Sequence, residues 1–309
     1  MSRYLLRRLL HAVLIVAGIS VISFFFLHLT GDPVGLILPQ DATREQIETL
    51  RRDLRLDEPI LAQYLHFVTS ALQGDMGRSI YTREPVLGLI LERLPATLEL
   101  ALTALALSLV IAIPMGVIAA LRRGGWLDTI SMTLALFGLS MPHFWLGIML
   151  IMLFSVQLNW LPTSGRGTWE QLIMPSAALG ASLVALFARL TRSAMLEVLG
   201  QDYVRTARAK GLSETMVVGK HALRNALIPL VTVAAMEFGF LLGGAVIIET
   251  VFAWPGVGRL IVQSILDRDY PVVQAAVMML AIVFVVVNLA VDLLYTWLDP
   301  NISLGRTDK

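Results

Sequence analysis

Apolar residues in this chain come in long blocks separated by short polar stretches, and the blocks are long enough to be membrane spans. Residues 9–29 carry no charge apart from two histidines. At 1.5 Å per residue, a helix of that length crosses roughly 30 Å of hydrocarbon. Arg3, Arg7 and Arg8 precede it. A cleaved signal peptide fits less well, because the apolar run is too long and no small-residue cleavage site follows. Five further blocks are expected to span. Residues 97–121 hold only Glu99, residues 129–156 are uncharged with Pro142 in the middle, and residues 171–188 end at Arg189 and Arg192. Residues 226–248 have Glu237 at their centre, and residues 272–298 carry Asp292 alone. Asn225 is the expected N-cap of the 226–248 helix, with Pro229 in its first turn, where a missing N–H costs little.

Between the first and second spans the pattern changes to short amphipathic pieces. Thr43 and Gln46 fit a capping box, with Ile47, Leu50 and Leu54 on one face behind it. Asp57 is placed as the cap of a second helix with Pro59 in its first turn; Ile60, Tyr64, Leu65, Val68 and Leu72 follow at helical spacing, and Gly74 ends it. Val86, Leu89, Ile90 and Leu94 predict a third short helix along the membrane interface. This 30–96 segment reads as a small extracytoplasmic cap that packs on the bundle.

The most basic interior stretch is 202–229. Arg205, Arg208, Lys210, Lys220 and Arg224 oppose Asp202 and Glu214. Two short helices are predicted, with a turn at Gly211 and Leu212, because glycine accepts left-handed backbone angles cheaply. Ser213 can cap the second helix and places Glu214 in its first turn. Met216, Gly219, Lys220 and Leu223 fall on one side of that helix. The pattern by itself leaves open both a docking surface and an ordinary solvated loop.

Composition agrees with the spans. The 309 residues are 56% hydrophobic and only 15% charged, with a mean hydropathy of +0.73, whereas a soluble domain averages about 25% charged residues. A net charge of +1 gives no case for nucleic acid, and the absence of cysteine excludes disulfides and thiolate metal sites. The location of charge says more. Arg122, Arg123 and the basic residues of 189–224, together with both termini, make fourteen Lys and Arg on one side; loops 157–170 and 249–271 hold only Arg166, Arg259 and Arg268. The positive-inside rule therefore puts both termini and the 202–229 loop in the cytosol. The expectation is an all-α integral membrane protein of six transmembrane helices with a polar extracytoplasmic segment between spans 1 and 2.

Signatures of catalysis are missing. The only Gly-Lys, at Gly219 and Lys220, is followed by His221 and preceded at the P-loop spacing by Glu214. The five histidines form no ligand-spaced pair on one helix, and Gly138-Leu139-Ser140-Met141-Pro142 fails the nucleophile-elbow pattern at its last position. The chain is expected to be no enzyme, with neither metal nor cofactor. Ionisable residues inside spans are costly unless paired or wetted. Glu237 and Asp292 each fit a wet pathway or an interhelical partner, and Asn288 and Tyr295 are near Asp292 as such partners. Gly239, Gly243 and Gly244 fit close helix packing or gate pivots.

Ordered motifs then identify a family. Arg205-Thr206-Ala207-Arg208-Ala209-Lys210-Gly211, followed by His221-Ala222-Leu223-Arg224-Asn225-Ala226-Leu227-Ile228-Pro229, resembles the cytosolic "EAA" loop of ABC-importer permeases. The version is similar to the first-subunit branch of the dipeptide/oligopeptide/nickel family, nearest the dipeptide and glutathione permeases. Gly31-Asp32-Pro33, Gly74-Asp75-Met76-Gly77-Arg78-Ser79 and Arg93-Leu94-Pro95-Ala96-Thr97-Leu98-Glu99-Leu100 also match. So do Ser140-Met141-Pro142, Glu249-Thr250-Val251-Phe252 with Pro255-Gly256-Val257-Gly258, Arg268-Asp269-Tyr270-Pro271, Asp292 and Asp299-Pro300. Arg205 stands where the loop's name-giving Glu usually sits, Arg224 where Pro is common, and Asn301 where Arg often follows Asp-Pro.

The resemblance implies a type I ABC importer permease fold and a subunit that moves dipeptides or oligopeptides, with glutathione among the cargoes, across a bacterial inner membrane. It implies a homologous second permease, two ATPase subunits that bind the ATP and Mg, and an extracytoplasmic substrate-binding protein on the 30–96 and 249–271 faces. The implied division is 1–29, 30–96 and a 97–309 core containing a coupling loop, 195–225. Coupling falls to Arg205, Thr206, Ala207, Arg208, Ala209, Lys210, Gly211, Leu212, Ser213, Glu214, Met216 and His221. The substrate path is assigned to Glu237, Ser140 and Pro142. An ATP-independent secondary transporter and a nickel-chelate importer subunit are the alternatives.

Overall fold

The computed structural model describes residues 2–29, 43–53 and 57–298, which form helices joined by turns, with one isolated bridge between Arg78 and Pro85. Gly31-Asp32-Pro33, Leu54, Asp299-Pro300 and Asn301 lie outside the described residues, as do the side chains of Gln46, Ile47, Leu50, Asp292 and Tyr295. The helices are α1 (Ser2–Leu29), α2 (Arg44–Asp53), α3 (Ile60–Leu72), α4 (Val86–Leu121), α5 (Trp126–Ser140) and α6 (His143–Leu150). A π-helical stretch, Ile151–Gln157, continues α6. Then come α7 (Glu170–Leu199), α8 (Asp202–Ala209), α9 (Glu214–Met216), a second π stretch (Val217–Ala222), α10 (Leu223–Val251), α11 (Val257–Leu266) and α12 (Tyr270–Leu298). Five helical stretches are long and apolar enough to cross a membrane, and six if α5 and α6 count as one bent span.

Several boundaries differ from the sequence reading. The span expected over 129–156 is two helices bent by 102°. Pro142 has no N–H and disfavours helix at the residue before it, and Met141 is accordingly extended (φ −90°, ψ 128°). The helix expected to stop at 188 runs past Arg189 and Arg192 to Leu199. The short interfacial helix expected over 86–94 is the first part of the 36-residue α4. Asp57 is not the cap of α3; Pro59 occupies that position, and its carbonyl accepts the N–H groups of Ala62 and Gln63. Asn225 caps nothing, because the helix that holds it begins at Glu214, and Pro229 lies inside α10. The 249–271 loop contains α11.

The chain forms two compact units. The first comprises the described parts of 1–96 with 255–290. In it α1 meets α3: the Ser20 and Tyr64 hydroxyls lie 2.9 Å apart, and Phe24 packs on Tyr64 and Phe67. Val86 and Ile90 of α4 are fully buried against Val257 and Leu260 of α11 and Val272 and Ala276 of α12.

The second unit comprises 97–254 with 291–298. Its central helix is α7, whose Met174, Leu179, Phe187, Ala188 and Met195 are buried. Close helix approach in this unit uses Gly180, Gly138 and Gly116. A Cβ on Gly180 would lie 2.8 Å from the Ala104 carbonyl oxygen, one on Gly138 2.8 Å from that of Ala181, and one on Gly116 2.5 Å from the Thr191 Cβ. With no side chain to intervene, α4 and α5 lie directly on α7. Gly243 has nothing within 4 Å, and Gly244 makes only ordinary contact with Leu179 at 3.6 Å, so neither creates a close crossing.

Candidate functional site

The basic 202–222 stretch is a knuckle folded on its own small core. Val204 and Ala207, three residues apart on α8, are buried against Val217, with Val198, Leu199 and Leu212 around them. Val204 and Val217 are wholly buried; each contributes roughly 1.5–3 kcal/mol of burial in a water-facing loop. Ala207 and Leu212 therefore hold the knuckle from within. The exposed side of α8 and the turn is formed by Arg205, Thr206, Arg208, Ala209, Lys210, Gly211, Ser213, Glu214 and Met216.

The turn follows the residue chemistry closely. Gly211 adopts φ +79°, the left-handed region that a Cβ makes costly. Its N–H donates to the Arg208 carbonyl at 2.9 Å. Ser213 occupies the N-cap position of α9 (φ −61°, ψ 146°) without a side-chain capping bond. Across the turn Arg208 donates from Nη2 to Glu214 Oε1 at 2.6 Å and from Nε to Oε2 at 3.1 Å. That two-pronged hydrogen bond raises the Arg208 pKa further above its ordinary value, so the guanidinium stays charged. Arg205 pairs with Asp202 at 3.2 Å on the surface, a local contact of small energetic weight.

The knuckle is continuous with a span. Helical geometry runs unbroken from Glu214 to Val251, through the π stretch that carries Lys220 and His221. The second short helix expected from sequence is thus the first turns of a 38-residue rod. The π stretch also alters the face on which Met216, Gly219, Lys220 and Leu223 were expected to align, because its wider turn shifts the register.

The residues assigned to a substrate path do not form one described cluster. The Ser140 hydroxyl donates to its own helix at the Leu136 carbonyl, 2.9 Å away. Pro142 is the N-cap of α6, and the neighbouring His143 Nδ1 lies 3.1 Å from the Ala178 carbonyl oxygen. Glu237 sits half-buried in the middle of α10, with no hydrogen bond or ion pair to a described residue.

Pairings that sequence reading missed join motifs far apart in the chain. In the first unit the buried Asp269 accepts the Ser79 hydroxyl and the Ile80 N–H, so Gly74–Ser79 and Arg268–Pro271 close on each other. In the second, Thr97 donates to the fully buried Glu249 at 2.6 Å, and Arg166 reaches Glu99 at 2.6 Å. Arg192 grips Asp128 with two bonds of 2.7 Å, while the Gly124 N–H donates to the same carboxylate at 3.0 Å. The available signal was an isolated acid within an otherwise apolar or motif-dense stretch; its partner was not legible.

Two family models cover this chain. Residues 112–304 match the binding-protein-dependent transport system inner membrane component, and residues 1–101 match the N-terminal part of such membrane components. The chain belongs to this family of inner-membrane transport components. It is 46% identical over 303 residues to the glutathione transport system permease protein GsiC of Escherichia coli strain K12, covering 98% of this chain and 99% of that protein. The GsiC protein of Shigella flexneri serotype 5b is similar to the same extent. Among solved structures, the inward-facing MetNI methionine ABC transporter superposes with a TM-score of 0.59 at 23% identity, over 68% of this chain and 96% of that one. That likeness shows the fold: a type I ABC importer permease, whose described regular elements are helices. The chain is therefore a multi-pass permease subunit of an ABC import system.

Proposed function

We propose that this permease carries short peptides of the glutathione and dipeptide class inward, as one of two homologous permease subunits above a pair of ATPases. On this reading an extracytoplasmic binding protein delivers the cargo, ATP and Mg reside on the ATPases, and this chain has no nucleotide site of its own. Both termini and the 202–222 knuckle face the cytosol of a bacterial cell on this reading, which the skew of Lys and Arg across the loops supports. The cargo class is supported by 46% identity along nearly the whole length of a glutathione permease.

The observation that carries the coupling role is the unbroken helix from Glu214 to Val251. A push on α8 passes through Val204, Ala207 and Val217 and the Arg208–Glu214 fork into a rod that is itself a span. A stiff connection of this kind transmits rigid-body motion between two packings, which a flexible loop cannot do. Arg205, Thr206, Ala209, Lys210 and Met216 present the contact face, and His221 sits at its base. Glu237, in the middle of the same rod, is the carboxylate proposed to meet a cationic amino terminus of the cargo.

The chain contains no cysteine, which makes the test clean. Arg205→Cys and Met216→Cys, introduced singly, are expected to crosslink to an ATPase subunit in vesicles that import labelled glutathione or dipeptide on ATP. Import with no crosslink at either position would remove the knuckle from the coupling path. Import that persists without any ATPase would point to a secondary transporter, and uptake of a nickel chelate alone would reassign the cargo.

A further inference from the structure

A cavity of about 540 Å³ opens beside the root of the knuckle, lined by Tyr203, Lys220, His221, Arg224, Asn225 and Ile228. The coupling role does not account for its chemistry. Lys220 and Arg224 are exposed, and neither has a carboxylate oxygen within 4.0 Å among the described residues. The loop's acids are engaged elsewhere, Asp202 with Arg205 and Glu214 with Arg208. Two cations thus share one concavity without a counter-charge. Tyr203 supplies a further donor: its hydroxyl oxygen accepts a 2.7 Å bond from Asn225 Nδ2, which leaves its own proton free to be given. The set is donor-rich and cationic, which suits a phosphate.

The wall changes character in one direction. Four residues beyond Arg224 comes Ile228, 65% exposed, and three beyond that Val231, 43% exposed. Arg224, Ile228 and Val231 share a face of α10 by their spacing, and the cavity sets Lys220 beside Arg224, so the wall passes from two cations to bare hydrocarbon at the start of a span. Its cationic end lies on the side that the charge distribution assigns to the cytosol. A free anion has no use for the apolar part of this wall, whereas an amphipathic anion is matched along its length.

We propose that this cavity binds the phosphate headgroup of an anionic phospholipid of the inner leaflet. Lys220 and Arg224 neutralise the phosphate, Tyr203 donates to it, and an acyl chain runs down Ile228 and Val231. The site is independent of the cargo, and its readout is lipid rather than transport.

The test uses the assembled importer, purified in mild detergent from mixed phosphatidylglycerol and phosphatidylcholine, with retained lipid counted by mass spectrometry. Lys220→Gln with Arg224→Gln is expected to lower phosphatidylglycerol retention about tenfold or more, the weight of a direct hydrogen bond to a charged group in the cavity. Lys220→Arg with Arg224→Lys should retain the lipid, which separates lost charge from lost folding. Arg122→Gln with Arg123→Gln, which removes two cytosolic-side charges outside the cavity, should leave retention unchanged. Full retention by the double Gln variant, or an equal loss from the Arg122 and Arg123 variant, overturns the proposal. Displacement of the lipid by millimolar inorganic phosphate assigns the cavity to a free anion instead and also overturns it. So does a photocrosslinker at Ile228 that captures an ATPase subunit in place of lipid.

Discussion

Gly211 allows backbone geometry to be separated from charge at the knuckle. Its φ of +79° lies in the left-handed region, where a residue with a Cβ pays roughly 1–2 kcal/mol and Asn or Asp less. A Cβ built there meets nothing within 4 Å, so steric collision adds nothing and the cost is that of the backbone alone. One to two kcal/mol corresponds to about a five- to thirtyfold change in an equilibrium. Gly211→Ala is therefore expected to deplete the native turn by up to that factor, and Gly211→Asn by much less. Gly211→Asp keeps most of the backbone tolerance but sets a carboxylate beside Arg208 and Lys210. It competes with Glu214 for Arg208 and is expected to uncouple transport while leaving membrane insertion intact. The assay is cargo imported per ATP hydrolysed by the complete importer in proteoliposomes, with insertion followed separately. The expected order is wild type, Asn, then Ala and Asp. Equal ratios for wild type, Ala and Asp, at normal ATP turnover, would refute a rigid knuckle.

Other expectations follow from particular contacts. Glu237→Gln is expected to lower uptake without changing complex assembly; unchanged uptake kinetics removes Glu237 from the cargo path. Thr97→Val keeps the side-chain shape but withdraws a donor from the buried Glu249, at a cost of roughly 1.5–3 kcal/mol, visible as a lower thermal midpoint of the detergent-solubilised chain. Ser79→Ala removes one of the bonds on Asp269 and should cost a similar amount locally, about 1.5–3 kcal/mol, read as faster hydrogen exchange over residues 75–85. Arg192→Gln should destabilise the chain more than Arg205→Gln, because Arg192 holds a nearly buried carboxylate with two bonds whereas Arg205 makes one exposed contact; equal melting shifts would contradict this.

Much of the architecture can be read along one dimension. Long apolar blocks name the spans, since a bilayer admits little else. Gly211 marks its turn because the demand for a left-handed angle is local. Helix ends were less legible. Asn225 and Pro229 look like a helix start, yet the structure carries the helix through both, because packing of α10 and its preceding π stretch against the knuckle and α7 outweighs the local signal. Pro142 was placed correctly in its block, but the consequence of its missing N–H, a 102° break, belongs to the folded chain.

The sequence by itself determined which segments are apolar enough to span, which loop is basic, and that the 202–222 stretch turns at a glycine. It did so because hydropathy, charge and backbone permissiveness are properties of neighbouring residues. Only the tertiary structure decided that Ser79 meets Asp269 across 190 positions and Thr97 meets Glu249 across 152. It alone welded the knuckle to α10 and left Lys220 and Arg224 without a counter-charge among the described residues. A partner is chosen by which helices lie side by side, and no local pattern in either partner records the other.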